Sequence, residues 1–201
     1  MLGNWLRLNF YFPKMKRVKQ ITSYHCGPAV LKMLLSFQGV IIKQKEIVTA
    51  AGIGRRLKTY GMTVAEMDVS VNKLFPQLQL WHKDNASLKD LQELVQTYTV
   101  PVGVEWQGVF EEYEDEDNGH YAVVVHADMA NNIILLADPF KKYAGRDRRF
   151  SIIDFEHRWW DTNEVTDLRM GKHKLIKDYH MMFIVMPKEV TFPESLGMVK
   201  G

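Results

Sequence analysis

The first half of the chain carries its apolar residues at helical spacing. Residues 27–38 are mostly apolar, with Pro28 near their start and Gly39 directly after them. Proline suits a first helical position and glycine a helix stop, so this segment predicts a mostly buried helix. Residues 44–51 place their apolar positions on one face of a second predicted helix.

Two capping patterns predict further helices in this half. Thr63 is followed three residues later by Glu66, which is the spacing of a capping box, and the predicted helix runs to about Leu74. Ser87 and Asp90 repeat the pattern and open a fourth predicted helix. The first half of the chain is therefore predicted to be mainly helical.

The second half changes to short apolar runs that are typical of buried strands. Residues 101–106 form one such run, and residues 121–127 and 133–137 form a predicted hairpin around a polar turn. A short helix over residues 151–160 and a strand over residues 179–186 follow. Helices followed by strands favour an α+β fold, with an antiparallel sheet packed on the N-terminal helices.

Length and composition limit the domain organisation. The chain has 201 residues, 46% of them hydrophobic, which is enough for one sizeable core. We see no internal repeat and no linker rich in Gly, Ser or Pro. We therefore predict a single domain over residues 1–201, with an N-terminal extension over residues 1–19 and a C-terminal tail over residues 188–201.

Charge and hydropathy predict a soluble, cytoplasmic protein with no nucleic-acid partner. Lys and Arg number 26 against 24 Asp and Glu, a formal net charge of +2 without the bias of a dedicated nucleic-acid binder. No apolar run approaches the roughly 18 to 20 residues that span a bilayer, and no signal peptide is recognisable.

The charged clusters are interpreted as solvated surface. The basic clusters are Lys14, Lys16, Arg17 and Lys19, and Arg146, Arg148 and Arg149. Neither has the interleaved aromatic residues of a nucleic-acid platform. Residues 111–117 hold six carboxylates directly ahead of His120, and a solvated loop is the preferred interpretation over a lip that attracts basic substrates.

Cys26 is the only cysteine, so an internal disulfide and multi-cysteine metal sites are excluded. It is therefore either a buried spectator thiol or a nucleophile. It lies where the first predicted helix begins, and there the helix dipole and unpaired N–H groups favour a thiolate and receive an oxyanion. Gln20 would supply a second donor if its loop folds back, and Gly27 leaves room for a substrate backbone.

A nucleophile needs a base that a third group orients, and His120 is the best candidate among seven histidines. It begins the first hairpin strand, whereas Asp138 ends the second. A hairpin loop of residues 128–130 would place the two directly opposite, with Cβ atoms about 5 Å apart. Longer loops would place position 139 or 140 opposite His120 instead.

Two other histidines are considered as bases and set aside. His126 is in the same strand as His120, but six residues away, which is about 20 Å. It also lacks a suitable acid downstream. His25 adjoins the cysteine, and we expect it to flank the cleft.

Four motifs in this order resemble a known family. They are Gln20 with Cys26-Gly27-Pro28-Ala29, Pro101-Val102-Gly103-Val104, Gly119-His120-Tyr121-Ala122-Val123-Val124-Val125, and Asp138-Pro139. Together they resemble family 39 of the cysteine peptidases, which are papain-like, bacteriocin-processing enzymes that cut leader peptides after a double glycine. The resemblance runs from about Gln20 to Trp160.

The resemblance implies a papain-like fold and a thiol peptidase that needs neither cofactor nor metal. It assigns Cys26 as the nucleophile, His120 as the base and then acid, and Asp138 as the orienting carboxylate. Gln20 would be an oxyanion donor. The substrate-binding residues are expected to be Gly27, Gly119 and Tyr121.

The chain departs from the family pattern in two ways. His25 stands where family members often have an aspartate. The best-known members are front ends of ABC exporters, but this chain has neither membrane spans nor a phosphate loop. A free-standing enzyme acting on a peptide or protein is expected, with a separate exporter as a candidate partner.

Two alternatives to peptide hydrolysis stay open. A catalytically silent peptide-binding module could use the same fold. Another thiol acyl transfer, such as deamidation, transglutamination or isopeptide cleavage, would use the same residues. Serine hydrolase and zinc peptidase signatures do not occur in the sequence.

Overall fold

The computed structural model describes residues 12–108, 119–167 and 172–201. For residues 163–167 and 172–176, it describes the backbone alone. The helices are α1 (Cys26–Phe37), α2 (Gln44–Ala51), α3 (Leu57–Tyr60), α4 (Val64–Leu74), α5 (Leu88–Gln92), α6 (Ile152–Arg158) and α7 (Phe192–Ser195). A π-helical turn, Glu93–Thr97, continues α5. The strands are β1 (Leu78–Lys83), β2 (Val102–Gln107), β3 (Gly119–Asp128), β4 (Ile133–Ala137), β5 (Asp147–Phe150), β6 (Trp160–Asp167), β7 (Lys172–Tyr179), β8 (Met182–Pro187) and β9 (Val199–Lys200).

The predicted buried helix is confirmed as α1, with a start two residues earlier than Pro28 indicates. His25 is the N-cap, so Cys26 occupies the first helical position and Pro28 the third. Proline is tolerated there because the first N–H groups of a helix have no partner within it. Gly39 has φ +80° directly after the helix, which is a glycine stop.

Both predicted capping boxes are confirmed. The Thr63 hydroxyl accepts from the Glu66 N–H, and the Glu66 carboxylate accepts from the Thr63 N–H at 3.0 Å. Ser87 and Asp90 make the same reciprocal pair at the start of α5. Each box satisfies N–H groups that the helix leaves unpaired, which fixes where the helix begins.

The central sheet has seven strands in the order β5-β4-β3-β2-β8-β1-β9, and each neighbouring pair is antiparallel. Helix α1 packs against β3. The predicted α+β fold, with an antiparallel sheet packed on the N-terminal helices, is confirmed. Strand β1 interrupts the predicted succession of helices and then strands, because it lies between α4 and α5 and pairs with β8.

The two segments predicted as an extension and a tail pack on the rest of the fold where they are described. Phe12 and Met15 are buried, and the Phe12 ring makes an edge contact with Phe37 at 5.5 Å between centroids. At the other end, β9 pairs with the edge strand β1, and Met198 is buried. Burial and pairing of this kind indicate that both segments stabilise the folded state.

The hairpin of β3 and β4 has a longer loop than predicted. Asp128 pairs with Ile133, so the loop is residues 129–132, and the predicted register with His120 directly opposite Asp138 is wrong. Continued beyond Ala137, the observed register places position 140 opposite His120, which is one of the longer-loop alternatives.

A β-bulge between Val124 and His126 determines whether the Asp138 side chain lies on the same face of the sheet as His120. Side chains alternate between faces, so an extra residue in one strand reverses the facing of everything beyond it. Without the bulge, Asp138 would fall opposite Val123 and face away from His120. With it, the register places Asp138 opposite Ala122, diagonal to His120 and on the same face.

The core is rich in aromatic side chains. Trp81, Trp106 and Trp159 are fully buried and pack within it. In the described ranges, no helix is both long enough and apolar enough to cross a membrane.

Candidate active site

Cys26 is placed where a thiol can be reached from solvent. It forms no disulfide and is only partly buried, at the first position of α1. The helix behind it is almost entirely buried and packs on β3, so the cysteine has a rigid support. A partly exposed thiol on a fixed helix end satisfies the first requirement of a nucleophile.

His120 connects the cysteine to Asp138. Its side chain is 3% exposed, and its Nε2 lies 2.9 Å from Asp138 Oδ1. His120 is also hydrogen-bonded to Cys26. Since Nε2 is engaged with the carboxylate, Nδ1 is the nitrogen that faces the thiol. The structure thus brings together the predicted nucleophile, base and carboxylate.

Asp138 is buried, and its two oxygens have different partners. Oδ1 accepts hydrogen bonds from His120 Nε2 and from the Phe140 N–H at 2.8 Å. Oδ2 accepts from Arg148 Nη1 at 2.7 Å. The backbone next to Asp138 also binds the cysteine loop, because the Gln20 N–H donates to the Pro139 carbonyl at 2.9 Å.

The electrostatics favour a charged imidazole. Burial by itself would lower the pKa of His120, but the charge and hydrogen bond of Asp138, followed by those of Cys26, raise it to about 10. Burial would raise the pKa of Asp138, but the His120 charge and the hydrogen bonds to the carboxylate lower it. At neutral pH the pair is therefore an imidazolium and a carboxylate.

Gln20 is near the cysteine, but its amide is already occupied. Nε2 donates to the carbonyls of Thr22 and Ser23, at 2.8 and 2.9 Å. The side chain is 5% exposed, and Oε1 has no hydrogen-bond partner among the described residues. These bonds hold the loop that leads into α1. The oxyanion role of Gln20 stays a prediction, since one of the two hydrogens would have to be released.

The two histidines set aside above have other surroundings. His25 is buried, its Nδ1 is hydrogen-bonded to Thr22 Oγ1, and its ring lies 5.1 Å from that of Tyr24. Its contacts hold the same loop that Gln20 holds. His126 lies on the other side of the bulge, paired with Leu135. Burial lowers the pKa of both histidines, so neither is set up as a charged partner of a thiolate.

The predicted substrate-binding residue Gly27 has a packing role in the structure. A Cβ at this position would lie 3.1 Å from Met62 Cβ and 3.1 Å from Met67 Cε. The space beside Gly27 is therefore filled by the protein's own side chains. Its contact with substrate stays a prediction.

The two residues that flank His120 belong to or contact a buried acidic cluster, which consists of Glu105, Asp161 and Tyr121. The Asp161 carboxylate lies against Gly119, where a Cβ would be 2.5 Å from Oδ2. Tyr121 is buried opposite Glu105 on β2 and is hydrogen-bonded to it. The substrate contacts predicted for Gly119 and Tyr121 stay predictions.

Burial raises the pKa of two members of the acidic cluster, Glu105 and Tyr121. Burial and the negative charge of Asp161 raise the pKa of Glu105 well above its ordinary value. Burial and the charge of Glu105 raise the pKa of Tyr121 in the same way. Sequence reasoning missed this cluster. Its available signal was a glutamate inside an otherwise apolar predicted strand.

Two arginines assigned to solvated clusters are in fact buried in ion pairs. Arg17 binds Asp147 through Nη2 and Oδ2 at 2.9 Å, with side chains 7% and 0% exposed. Arg148 binds Asp138 with side chains 10% and 0% exposed. The interpretation of these two residues as solvated surface is wrong. Nothing in the sequence separates them from the exposed basic residues beside them.

No metal site is recognisable in the part of the chain that the structure describes, where no three His, Cys, Asp or Glu side chains group as ligands. The acidic residues 111–117 lie outside the described residues.

The chain matches a known family over most of its length. Residues 12–166, well over half of the chain, match the model of the Peptidase_C39 like family. The chain belongs to this family. The resemblance that the sequence motifs indicated is thereby confirmed.

Two solved structures that share the papain-like fold of this chain are a peptidase domain and a protease. The peptidase domain of Streptococcus ComA, a bifunctional ABC transporter involved in a quorum-sensing pathway, is 19% identical, with a TM-score of 0.59 over 87% of this chain and 99% of that domain. A double-glycine-motif protease from an AMS/PCAT transporter, solved with its leader peptide, is 14% identical, with a TM-score of 0.56 over 87% of this chain and 93% of that protein. At these identities the similarity shows the fold. A search of curated protein sequences found no match.

Proposed function

We propose that this Peptidase_C39-like protein is a cysteine peptidase in which Cys26 attacks a peptide carbonyl. The observation that carries the proposal is the buried His120, hydrogen-bonded to Cys26 on one side and to Asp138 on the other. A nucleophile, a base and an orienting carboxylate in this order form the arrangement of thiol and serine hydrolases.

In the first half of the proposed reaction, the Cys26 thiolate forms a bond to the carbonyl carbon, and the carbonyl oxygen takes up the negative charge. The first N–H groups of α1 have no acceptor within the helix, so they are suited to hold this oxyanion. Gln20 would join them once it releases a loop carbonyl.

Expulsion of the amine needs a proton, and the His120 imidazolium supplies it. The C–N bond breaks, the amine leaves with the proton from Nδ1, and the acyl group stays on the sulfur as a thioester. Water then attacks the thioester while the neutral His120 takes a proton from it, and the Cys26 thiolate departs. Asp138 keeps Nε2 hydrogen-bonded throughout, so the ring keeps its orientation.

The substrate class is part of the proposal. The two similar structures belong to transporter-associated peptidases, one of them solved with a leader peptide. We propose by analogy that a leader peptide is the substrate, cleaved after a double glycine, and that a separate exporter is a partner. A cytoplasmic location and a single peptidase unit over residues 1–201 also stay predictions. The location rests on the solitary cysteine, which suits a reducing compartment.

Profiling with a peptide library that contains double-glycine leaders tests the function. We expect new termini after the double glycine, and complete loss of cleavage when the protein is alkylated beforehand. Alkylation is unambiguous because Cys26 is the only cysteine.

The alternatives give different results in the same experiment. Deamidated or cross-linked peptides without new termini would indicate that the activity is another thiol acyl transfer and not hydrolysis. Peptides that are retained but unchanged would support the silent binding module. Cleavage that survives alkylation would contradict the proposal.

A further inference from the structure

Arg148 contacts the carboxylate that orients His120. Its Nη1 donates to Asp138 Oδ2 at 2.7 Å, while His120 Nε2 is bound to Oδ1 of the same group. The Arg148 side chain is 10% exposed and that of Asp138 is 0% exposed. A charged hydrogen bond in such a buried setting is stronger and more directional than one at the surface.

Aromatic rings fix the guanidinium in place. Its central carbon lies 3.6 Å from the ring centroid of Tyr143, 4.8 Å from that of Phe150 and 6.0 Å from that of Trp106. Arginine over aromatic faces gains cation–π attraction, which increases when the cation is desolvated. Trp106 is paired with His120 across β2 and β3, so this aromatic cage shares a wall with the candidate active site.

Among the residues that the structure describes, Arg148 is the cation paired with Asp138 Oδ2, and the other nearby cations have different partners. Arg17 is committed to Asp147, the neighbour of Arg148 on β5. Lys142 and Arg146 lie over the Tyr143 ring, at 5.3 and 5.7 Å from its centroid. Cys26 reaches Asp138 only through His120.

We propose that Arg148 is a positioning residue for the active site: held by the aromatic cage, it fixes the Asp138 carboxylate so that Oδ1 faces His120 Nε2. The proposal rests on the proposed function, since it acts through the imidazole of that mechanism. Without Arg148, a buried Oδ2 loses its partner. The carboxylate is then held through Oδ1 alone, so its orientation is less firmly fixed and it takes up a proton at higher pH.

The test uses Arg148→Met, which keeps the apolar stem in the cage but removes the cation. Arg149→Met is the matched control, because Arg149 is exposed and neighbours Arg148 on the same strand. The carboxyl carbon shift of Asp138 is followed against pH by NMR, together with the ring nitrogens of His120. For Arg148→Met, we expect the Asp138 titration to move up by about one to three pH units. Arg149→Met should titrate like the wild type.

Activity provides the second readout. We expect kcat of Arg148→Met at pH 7 to fall about 10- to 100-fold with KM unchanged, because the defect lies in the chemical step. The acid limb of its pH profile should move up together with the Asp138 titration. Arg148→Lys keeps the charge but loses the planar guanidinium group. Its kcat should therefore lie between those of the wild type and Arg148→Met.

An unchanged Asp138 titration in Arg148→Met, with a kcat loss that is equal at every pH, would overturn the proposal. If Arg148→Met does not fold, Arg148→Lys decides by the same titration: a wild-type Asp138 titration together with wild-type kcat would overturn it. The NMR readout needs no substrate. A raised Asp138 titration in Arg148→Met, together with no peptide cleavage by the wild type, would therefore refute the proposed function and leave the positioning role standing.

Discussion

Cys26→Ala is expected to reduce peptide hydrolysis to the background rate, a loss of about 10⁴- to 10⁶-fold. Loss of a nucleophile removes the covalent route altogether, and only binding and oxyanion stabilisation are left. The variant should fold normally, because the thiol is partly exposed and alanine is the best helix former. The measurement is the initial rate of cleavage of a library-derived peptide at pH 7.

The control for this variant is its stability and substrate binding. The unfolding midpoint of Cys26→Ala should match the wild type, and it should still bind the peptide. A variant that folds normally and cleaves within tenfold of the wild-type rate would exclude Cys26 as the nucleophile.

Asp138→Ala is expected to lower hydrolysis at pH 7 by about 10²- to 10⁴-fold, the range of general acid–base catalysis. The Asp138 charge is the first of the influences that raise the pKa of His120 to about 10, against the burial that lowers it. Without that charge, burial prevails and the imidazole becomes neutral at a lower pH. The alkaline limb of kcat, expected near pH 10 in the wild type, should therefore move to lower pH.

Asp138→Asn separates orientation from charge. Its amide oxygen can still accept from His120 Nε2, and a neutral amide has this role in Cys-His-Asn peptidases. We expect it to keep more activity than Asp138→Ala while showing the same downward move of the alkaline limb. An alkaline limb that stays in place in both variants would contradict the electrostatic account.

Thermal stability provides a readout of the same pair that needs no substrate. A folded pKa above the ordinary value means that the His120 contribution to the free energy of unfolding is fully present below about pH 6.5. It is lost as the pH rises through about 10. The wild-type unfolding midpoint should fall across this window, and this part of the fall should be absent from Asp138→Ala.

Local sequence signals were sufficient for much of the fold. The helix behind Cys26 follows from a mostly apolar run that ends at glycine, and two helix starts follow from capping boxes at Thr63 and Ser87. The β3–β4 hairpin follows from two apolar runs around a polar turn. These features depend on residues close together in the chain, which is why they can be recognised there.

Features that depend on tertiary contacts were not predictable in the same way. The bulge near Val124 reverses the facing of side chains without any glycine or proline to mark it. It is nevertheless what puts His120 and Asp138 on one face. Arg148 differs from the exposed Arg149 only in which face of β5 it occupies. Strand β5 itself was not predicted, so that difference could not be recognised.

We propose that the His120 imidazolium activates Cys26 as a nucleophile at neutral pH. The rate of Cys26 alkylation by iodoacetamide, measured by intact mass between pH 4 and 10 in the wild type and in His120→Ala, tests it most directly. A positive charge beside the thiol favours its attack on iodoacetamide, so we expect alkylation of His120→Ala at pH 7 to be at least about tenfold slower than that of the wild type. Equal alkylation rates for the two proteins at pH 7 would contradict the account.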